Sequence, residues 1–206
     1  MVNSNRETRF ADRTDLPSDL AEAFRRAGSL DERPESLEAG HSAVTDRLNE
    51  AGVTITPEDM YQPEPTRHAV HIDGTVKYVP CVMDALIVAL LHEDDTVEIY
   101  SESPEAGVTI RFRVTEDGVT VVPTSAVISF GLGIKESTNP DFDSVKDTLN
   151  APDAPIPTTC AVTNAFPDSA SFERWAAEIS EAALVELSVE KAFSLSKQAA
   201  RTHVGK

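Results

Sequence analysis

Apolar and polar side chains alternate without a break in VTIRFRV, residues 108–114. Val108, Ile110, Phe112 and Val114 share one face, and Thr109, Arg111 and Arg113 the other, which predicts a half-buried strand. Further strands are predicted in TVEIYS (96–101), VTVV (119–122), AVISFGLGI (126–134), CAVTNAF (160–166) and ALVELS (183–188). HAVHIDGTVKYV (68–79) places Asp73-Gly74 between two alternating segments, the composition of a two-residue hairpin, and Asp117-Gly118 predicts another turn. Helical signals flank this β-rich part. LPSDLAEAFRRAG opens with Pro17 and Ser18 and closes at Gly28, and PESLEAGHSAVTDRLNEAG (34–52) puts Leu37, Val44 and Leu48 on one face before Gly52. SASFERWAAEIS (169–180), capped by Asp168 or Ser169, and VEKAFSLSKQAAR (189–201) complete the set. Residues 1–16 read as a polar lead, 56–66 as a Pro-rich connector, and 135–158 as a long loop with one helical turn near 144–149.

One segment departs from both periods. YVPCVMDALIVALL (78–91) is apolar on nearly every side beyond Asp84, which predicts a buried central helix starting at Pro80, where proline suits the first helical position. The order of elements gives a mixed α+β fold: mixed or antiparallel sheets around that helix, with residues 1–66 as a small helical N-terminal cap and connector and 67–206 as the main domain.

Charge narrows the partners. The 206 residues carry 35 acidic and 18 basic side chains, a net charge of −17. Phosphate-binding surfaces need clustered Lys and Arg, and the densest basic spot is only Arg25-Arg26, so nucleic acid and acidic membrane surfaces are not expected partners. The acids are dispersed and Lys is scarce, 6 against 12 Arg, a balance expected of a protein adapted to high salt. The apolar run is too short to span a bilayer and the first ten residues are polar, so a cytoplasmic location is expected, with both cysteines reduced.

Those cysteines, Cys81 and Cys160, carry the candidate chemistry. On a helix opening at Pro80, Cys81 lies in the first turn, where free N–H groups and the helix dipole favour a thiolate. Asp84, three residues on, shares its face, and at the mouth of an apolar core it should hold a raised pKa and shuttle a proton near neutrality. A plain alternative stands beside this: a small core cysteine and a capping aspartate. Cys160 follows the Pro-rich loop, where a side chain is presented rather than packed. No zinc spacing, Cys–His–Asp signature or phosphate-cradling glycine loop is present. His68 and His71 lie on opposite strand faces and read as surface residues; His41, His92 and His203 are isolated.

Taken together, YVPCVMDALIVALL, VEIYSESPEAGVTIRFRV, VVPTSAVISF, Cys160 standing 15 residues before Trp175, and LVELSVEKAFSLSKQ resemble the organomercurial (alkylmercury) lyase family over residues 68–200. Ser103 stands where many members of that family carry a third cysteine, and the region before His68 departs from its pattern. The resemblance implies that Cys81 and Cys160 bind mercury as thiolates and that Asp84 carries the proton that cleaves the carbon–mercury bond. It also implies an organomercurial substrate, no cofactor, external thiols for turnover, and small thiols or a mercuric reductase as acceptors of product Hg(II). Mercury is soft and prefers thiolate to nitrogen or oxygen, in keeping with this donor set. Two other readings use the same residues: a soft-metal-binding protein holding Hg(II) or Cu(I) without turnover, and a thiol redox protein. Asp84 favours the lyase, because sequestration needs no proton donor.

Overall fold

A computed structural model describes residues 16–28, 30–50, 56–92, 96–115, 117–133 and 155–203. The expected polar lead over residues 1–15 and the helical turn near 144–149 lie outside them. The fold is mixed α+β with two antiparallel sheets. The larger sheet has five strands in the order β2-β1-β3-β4-β5: β1 (His68–Ile72), β2 (Thr75–Val79), β3 (Thr96–Glu102), β4 (Thr109–Thr115) and β5 (Gly118–Val122). The smaller has the order β7-β6-β8, from β6 (Val127–Gly133), β7 (Ala165–Phe166) and β8 (Ala182–Ser188). Helices α1 (Ser18–Ala27), α2 (Leu37–Glu50) and α3 (Pro57–Met60) precede the sheets. Helix α4 (Val82–Leu91) joins β2 to β3, α5 (Pro155–Val162) and α6 (Ser169–Ala176) flank β7, and α7 (Val189–His203) ends the described chain.

The β1–β2 hairpin turns through Asp73 and Gly74, whose φ angles of 50° and 72° are the left-handed conformations a two-residue turn requires. Beyond it the alternation does its expected work: Val97 and Ile99 on β3, and Ile110, Phe112 and Val114 on β4, are buried, while Arg111 and Arg113 are exposed. Val108 is a correction. It lies before the strand begins and stays 44% exposed instead of facing inward.

Helix α4 buries Val82, Met83, Ala85, Leu86, Ile87, Val88 and Ala89 and packs against both the larger sheet and α7. Its apolar residues, the sheet's inner face, Leu20 and Phe24 of α1, and Leu37 of α2 all belong to one core. Phe24 stacks on Phe130 of β6, with ring centroids 6.0 Å apart. Val44 packs against the same core; the side chain of Leu48 lies outside the described residues.

Four local expectations give way. The chain around Cys160 forms the last turns of α5, leaving only Ala165–Phe166 as strand. Pro155 and Pro157, read as loop formers, fall in the first turn of a helix, where their missing N–H groups have no intrahelical partner to lose. The connector at 56–66 contains α3, and the Thr56 N–H donates to the Asp59 carboxylate at 2.9 Å. Helix α4 starts at Val82, one residue past Cys81, which is its N-cap with extended backbone angles (φ −148°, ψ 168°). Asp168 caps α6 as expected, accepting from the Ser171 N–H at 2.8 Å. No helix of the described residues is long and apolar enough to cross a membrane.

Candidate active site

At the cap of α4 the Cys81 sulfur accepts the Asp84 backbone N–H at 3.4 Å, as a capping hydroxyl would. The side chain of Asp84 turns back over the same turn, and the Cys81 thiol donates to its Oδ2 at 3.1 Å. Cys160 arrives from α5. Its thiol donates to the same carboxylate oxygen at 3.5 Å. The two sulfurs and the carboxylate oxygen lie within 4.8 Å of one another, and both cysteines are free. Cys81 is buried, 3% exposed, whereas Cys160 and Asp84 are partly exposed.

A set of backbone ties holds Cys160 against α4. The Val82 N–H, first in the helix, donates to the Thr163 carbonyl at 3.4 Å, and the Thr163 N–H donates to the Cys160 carbonyl at 3.3 Å. Behind the loop, the Ser129 hydroxyl on β6 donates to the Val162 carbonyl at 2.7 Å and accepts the Asn164 N–H at 2.9 Å. The Thr163 hydroxyl donates to the Thr159 carbonyl at 2.7 Å, and the Asn164 amide to the Ala161 carbonyl at 3.1 Å. The short, polar turn after Cys160 therefore fixes where the sulfur points. Its polar side chains satisfy backbone groups that an apolar sequence would leave unpaired in a buried place.

Burial sets the electrostatics. Removal from water raises the Asp84 carboxyl above its ordinary value, although the hydrogen bonds from Cys81 and Cys160 pull the other way. The Cys81 thiol is pushed well above the ordinary cysteine value by burial first, then by the Cys160 thiol and the Asp84 carboxyl; the Asp84 N–H opposes this. For Cys160 the contact with Cys81 works downward, but burial and the neighbouring Asp84 outweigh it and the net shift is upward. The raised Asp84 agrees with the sequence reading. The expectation of a thiolate at Cys81 does not hold for the metal-free site, because burial outweighs the helix terminus; both cysteines rest as thiols.

Beside Cys160 lies a cavity of ≈ 310 Å³ lined by Thr66, Arg67, His68, Pro80, Ala161 and Asn164 as well as the cysteine. His68 was expected at the surface and is only 2% exposed. The register of β1 against β3 sets it opposite Ser101, and its Nδ1 lies 2.8 Å from the Ser101 hydroxyl. Burial lowers its pKa to about 4, helped by the Arg67 charge and opposed by a hydrogen bond with Asn164, so the ring is neutral at pH 7. His71, three positions on, is exposed on the other face. Arg67, His68 and Asn164 carry no sequence motif; only the pairing of His68 with Ser101 and the tight turn after Cys160 assemble them.

No curated protein matches this chain. Among solved structures, ten chains match, including the crystal structure of the mercury-bound form of MerB2, with a TM-score of 0.50 and 17% identity over 79% of this chain and 75% of that one. That likeness establishes the fold. Residues 63–201, two-thirds of the sequence, match the family MerB, alkylmercury lyase, and the match contains both cysteines, Asp84 and the cavity beside Cys160. On this evidence the chain belongs to the alkylmercury lyase family and is an enzyme of the organomercurial lyase class.

Proposed function

We propose that the protein cleaves carbon–mercury bonds by protonolysis, with Cys81 and Cys160 as mercury ligands and Asp84 as the proton carrier. The observation that carries this reading is the single carboxylate oxygen shared by two thiols, 3.1 and 3.5 Å away. Cys160, the less buried sulfur, receives the substrate first. Its thiol displaces the thiolate that carries R–Hg⁺, and the proton leaves on the displaced thiol. Asp84 then takes the Cys81 proton as that sulfur attacks mercury. Electron density pushed through the metal makes the bound carbon basic, and Asp84 returns the proton to it. R–H departs, Asp84 is again a carboxylate, and Hg(II) stays on the two sulfurs.

Each step suits its surroundings. A carboxylate with a raised pKa takes the thiol proton more readily than an ordinary one and holds it for the carbon, and a positioned proton carrier of this kind contributes about 10²–10⁴-fold. Val79 and Val82, both fully buried, flank the Pro80-Cys81 pair and help keep bulk water from competing for the proton. No resident cofactor is needed; external thiols, or a reductase partner, remove Hg(II). Residues 1–66 are read as a cap on the catalytic part, 67–206, a reading supported by Phe24 seated on Phe130. The dispersed acidic charge fits a cytoplasm of high salt.

The test is headspace detection of methane from methylmercury with purified protein and excess thiol. Hydrocarbon release in proportion to protein supports the reading. Tight mercury binding without hydrocarbon makes the protein a soft-metal sequestering module, and a Cys81–Cys160 bond formed reversibly by mild oxidant would favour a redox role.

A further inference from the structure

The cavity beside Cys160 has a lining of one sign. Of its seven residues, Arg67 carries a permanent positive charge and none is acidic. That is unusual in a chain with 35 acidic and 18 basic side chains. Arg67 is exposed and forms no ion pair among the described residues, although other arginines, Arg25, Arg33 and Arg174, are each drawn to a glutamate. The adjoining His68 is neutral at pH 7 and adds no charge, while Pro80 and Ala161 supply apolar wall. The Asn164 amide and Thr66 hydroxyl supply polar wall, both already engaged with backbone carbonyls. At ≈ 310 Å³ the space lies at the small end of ligand cavities, about 300–1,000 Å³.

We propose that this cavity is the docking place of a small thiol bearing a carboxylate, which Arg67 orients so that its sulfur meets mercury held on Cys160. This deepens the proposed function and rests on its assignment of mercury to the two cysteines. The exchange balances without an oxidant: the incoming sulfur bonds to mercury, the mercury–Cys160 bond breaks, and the proton of the incoming thiol ends on the Cys160 sulfur. A second thiol displaces Cys81 in the same way. Arg67 acts on the encounter, since a charge at the mouth of a cleft raises local anion concentration and association rate, an effect that weakens with salt.

The experiment loads the full chain with one equivalent of HgCl₂ and mixes it, at low ionic strength, with mercaptoacetate, 2-mercaptoethanol or cysteamine at equal thiolate concentration. Loss of the mercury–thiolate ultraviolet absorption reads release. The ratio of mercaptoacetate to 2-mercaptoethanol rates is expected to fall by roughly fivefold in Arg67→Gln, the size an exposed ion pair supports, and to recover in Arg67→Lys. Comparing variants cancels the intrinsic reactivities of the thiols. An unchanged ratio in Arg67→Gln overturns the proposal. A parallel arm compares phenylmercury with 4-carboxyphenylmercury as substrate; an Arg67-dependent preference confined to that arm assigns the cavity to the organic group and equally overturns thiol docking. Because the release assay involves no carbon–mercury cleavage, its failure is distinct from an absence of hydrocarbon product.

Discussion

Asp84 Oδ2 and the Cys160 sulfur lie 3.5 Å apart across 76 positions of sequence. Asp84 comes from the first turn of α4, whose cap is Cys81, and Cys160 from the end of α5, drawn in by the Val82 and Thr163 backbone bonds. Two thiols thus meet one acid that can serve both. Metal ligands need no such acid, whereas proton transfer to carbon does.

Asp84→Asn should separate binding from chemistry. The amide keeps the shape but carries no transferable proton, so cleavage should fall by about 10²–10⁴-fold while Hg(II) uptake persists. Stability should move the opposite way. The folded-state pKa of Asp84 lies above its unfolded value, so ionisation disfavours the fold as pH rises through that window. The variant should therefore melt higher than the parent at pH 7, with the gap closing as pH falls below the ordinary aspartate range. Melting curves from pH 3 to 8 check the sign.

Cys81→Ser should leave the fold intact and remove mercury affinity. Serine is a preferred N-cap and can accept the same Asp84 N–H, so unfolding free energy should change by no more than about 1 kcal/mol. Its oxygen is a poor ligand for a soft metal. Chemical denaturation and a competition titration with a mercury chelator measure the two effects on one sample.

His68 predicts an acid limb of stability. Its folded pKa, about 4, lies below the ordinary histidine value of 6.5. Its neutral form is favoured by the fold, so that stability is fully present above pH 6.5 and is lost as pH falls toward 4, on the order of 3 kcal/mol in all. Replacing His68 with Gln should flatten this limb. The exchange should also cost about 1–3 kcal/mol at pH 7 if the Ser101 hydroxyl is left unpaired. Denaturant midpoints across pH 4 to 7 test both statements.

Gly131→Ala should destabilise the smaller sheet. A Cβ there would meet the Ala183 carbonyl oxygen at 2.6 Å and Leu184 at 2.5 Å, and the backbone oxygen is fixed by the β6–β8 ladder. Overpacking of this kind costs about 1–3 kcal/mol, measurable as a lowered midpoint.

Salt should stabilise the molecule. With a net charge of −17, self-repulsion opposes the compact state, and raising ionic strength to about 1 M shrinks the screening length to about 3 Å. The melting temperature should rise steadily between 0.1 and 2 M KCl; a flat response would argue against adaptation to high salt.

How much of this was legible beforehand follows from what each signal measures. Period-two alternation found β4 because that strand presents one face to the core, and Asp73-Gly74 found its turn because a left-handed pair admits few residues. The apolar run 82–91 found α4. Around Cys160 the local signals misled: Pro155 and Pro157 look the same in a loop and in a helix's first turn, and only packing against β6 decides. His68 looked exposed because an alternating HAVHI pattern does not reveal which face meets Ser101. Cys81 and Asp84 were visible as a pair through their i, i+3 spacing. That Cys160 joins them depends on long-range contacts no local pattern encodes, so the trio was reached through family resemblance, and the Arg67 cavity was not reached at all.

The central claim, that a proton passes through Asp84 to carbon while two sulfurs keep the metal, is tested most directly by a single turnover of methylmercury in D₂O. One equivalent of monodeuterated methane per protein, with Hg(II) retained on two sulfur ligands by X-ray absorption and methane formed about 10²–10⁴-fold more slowly by Asp84→Asn, is the expected result. Recovery of intact methylmercury from the parent protein, or methane formed equally fast by Asp84→Asn, would contradict it.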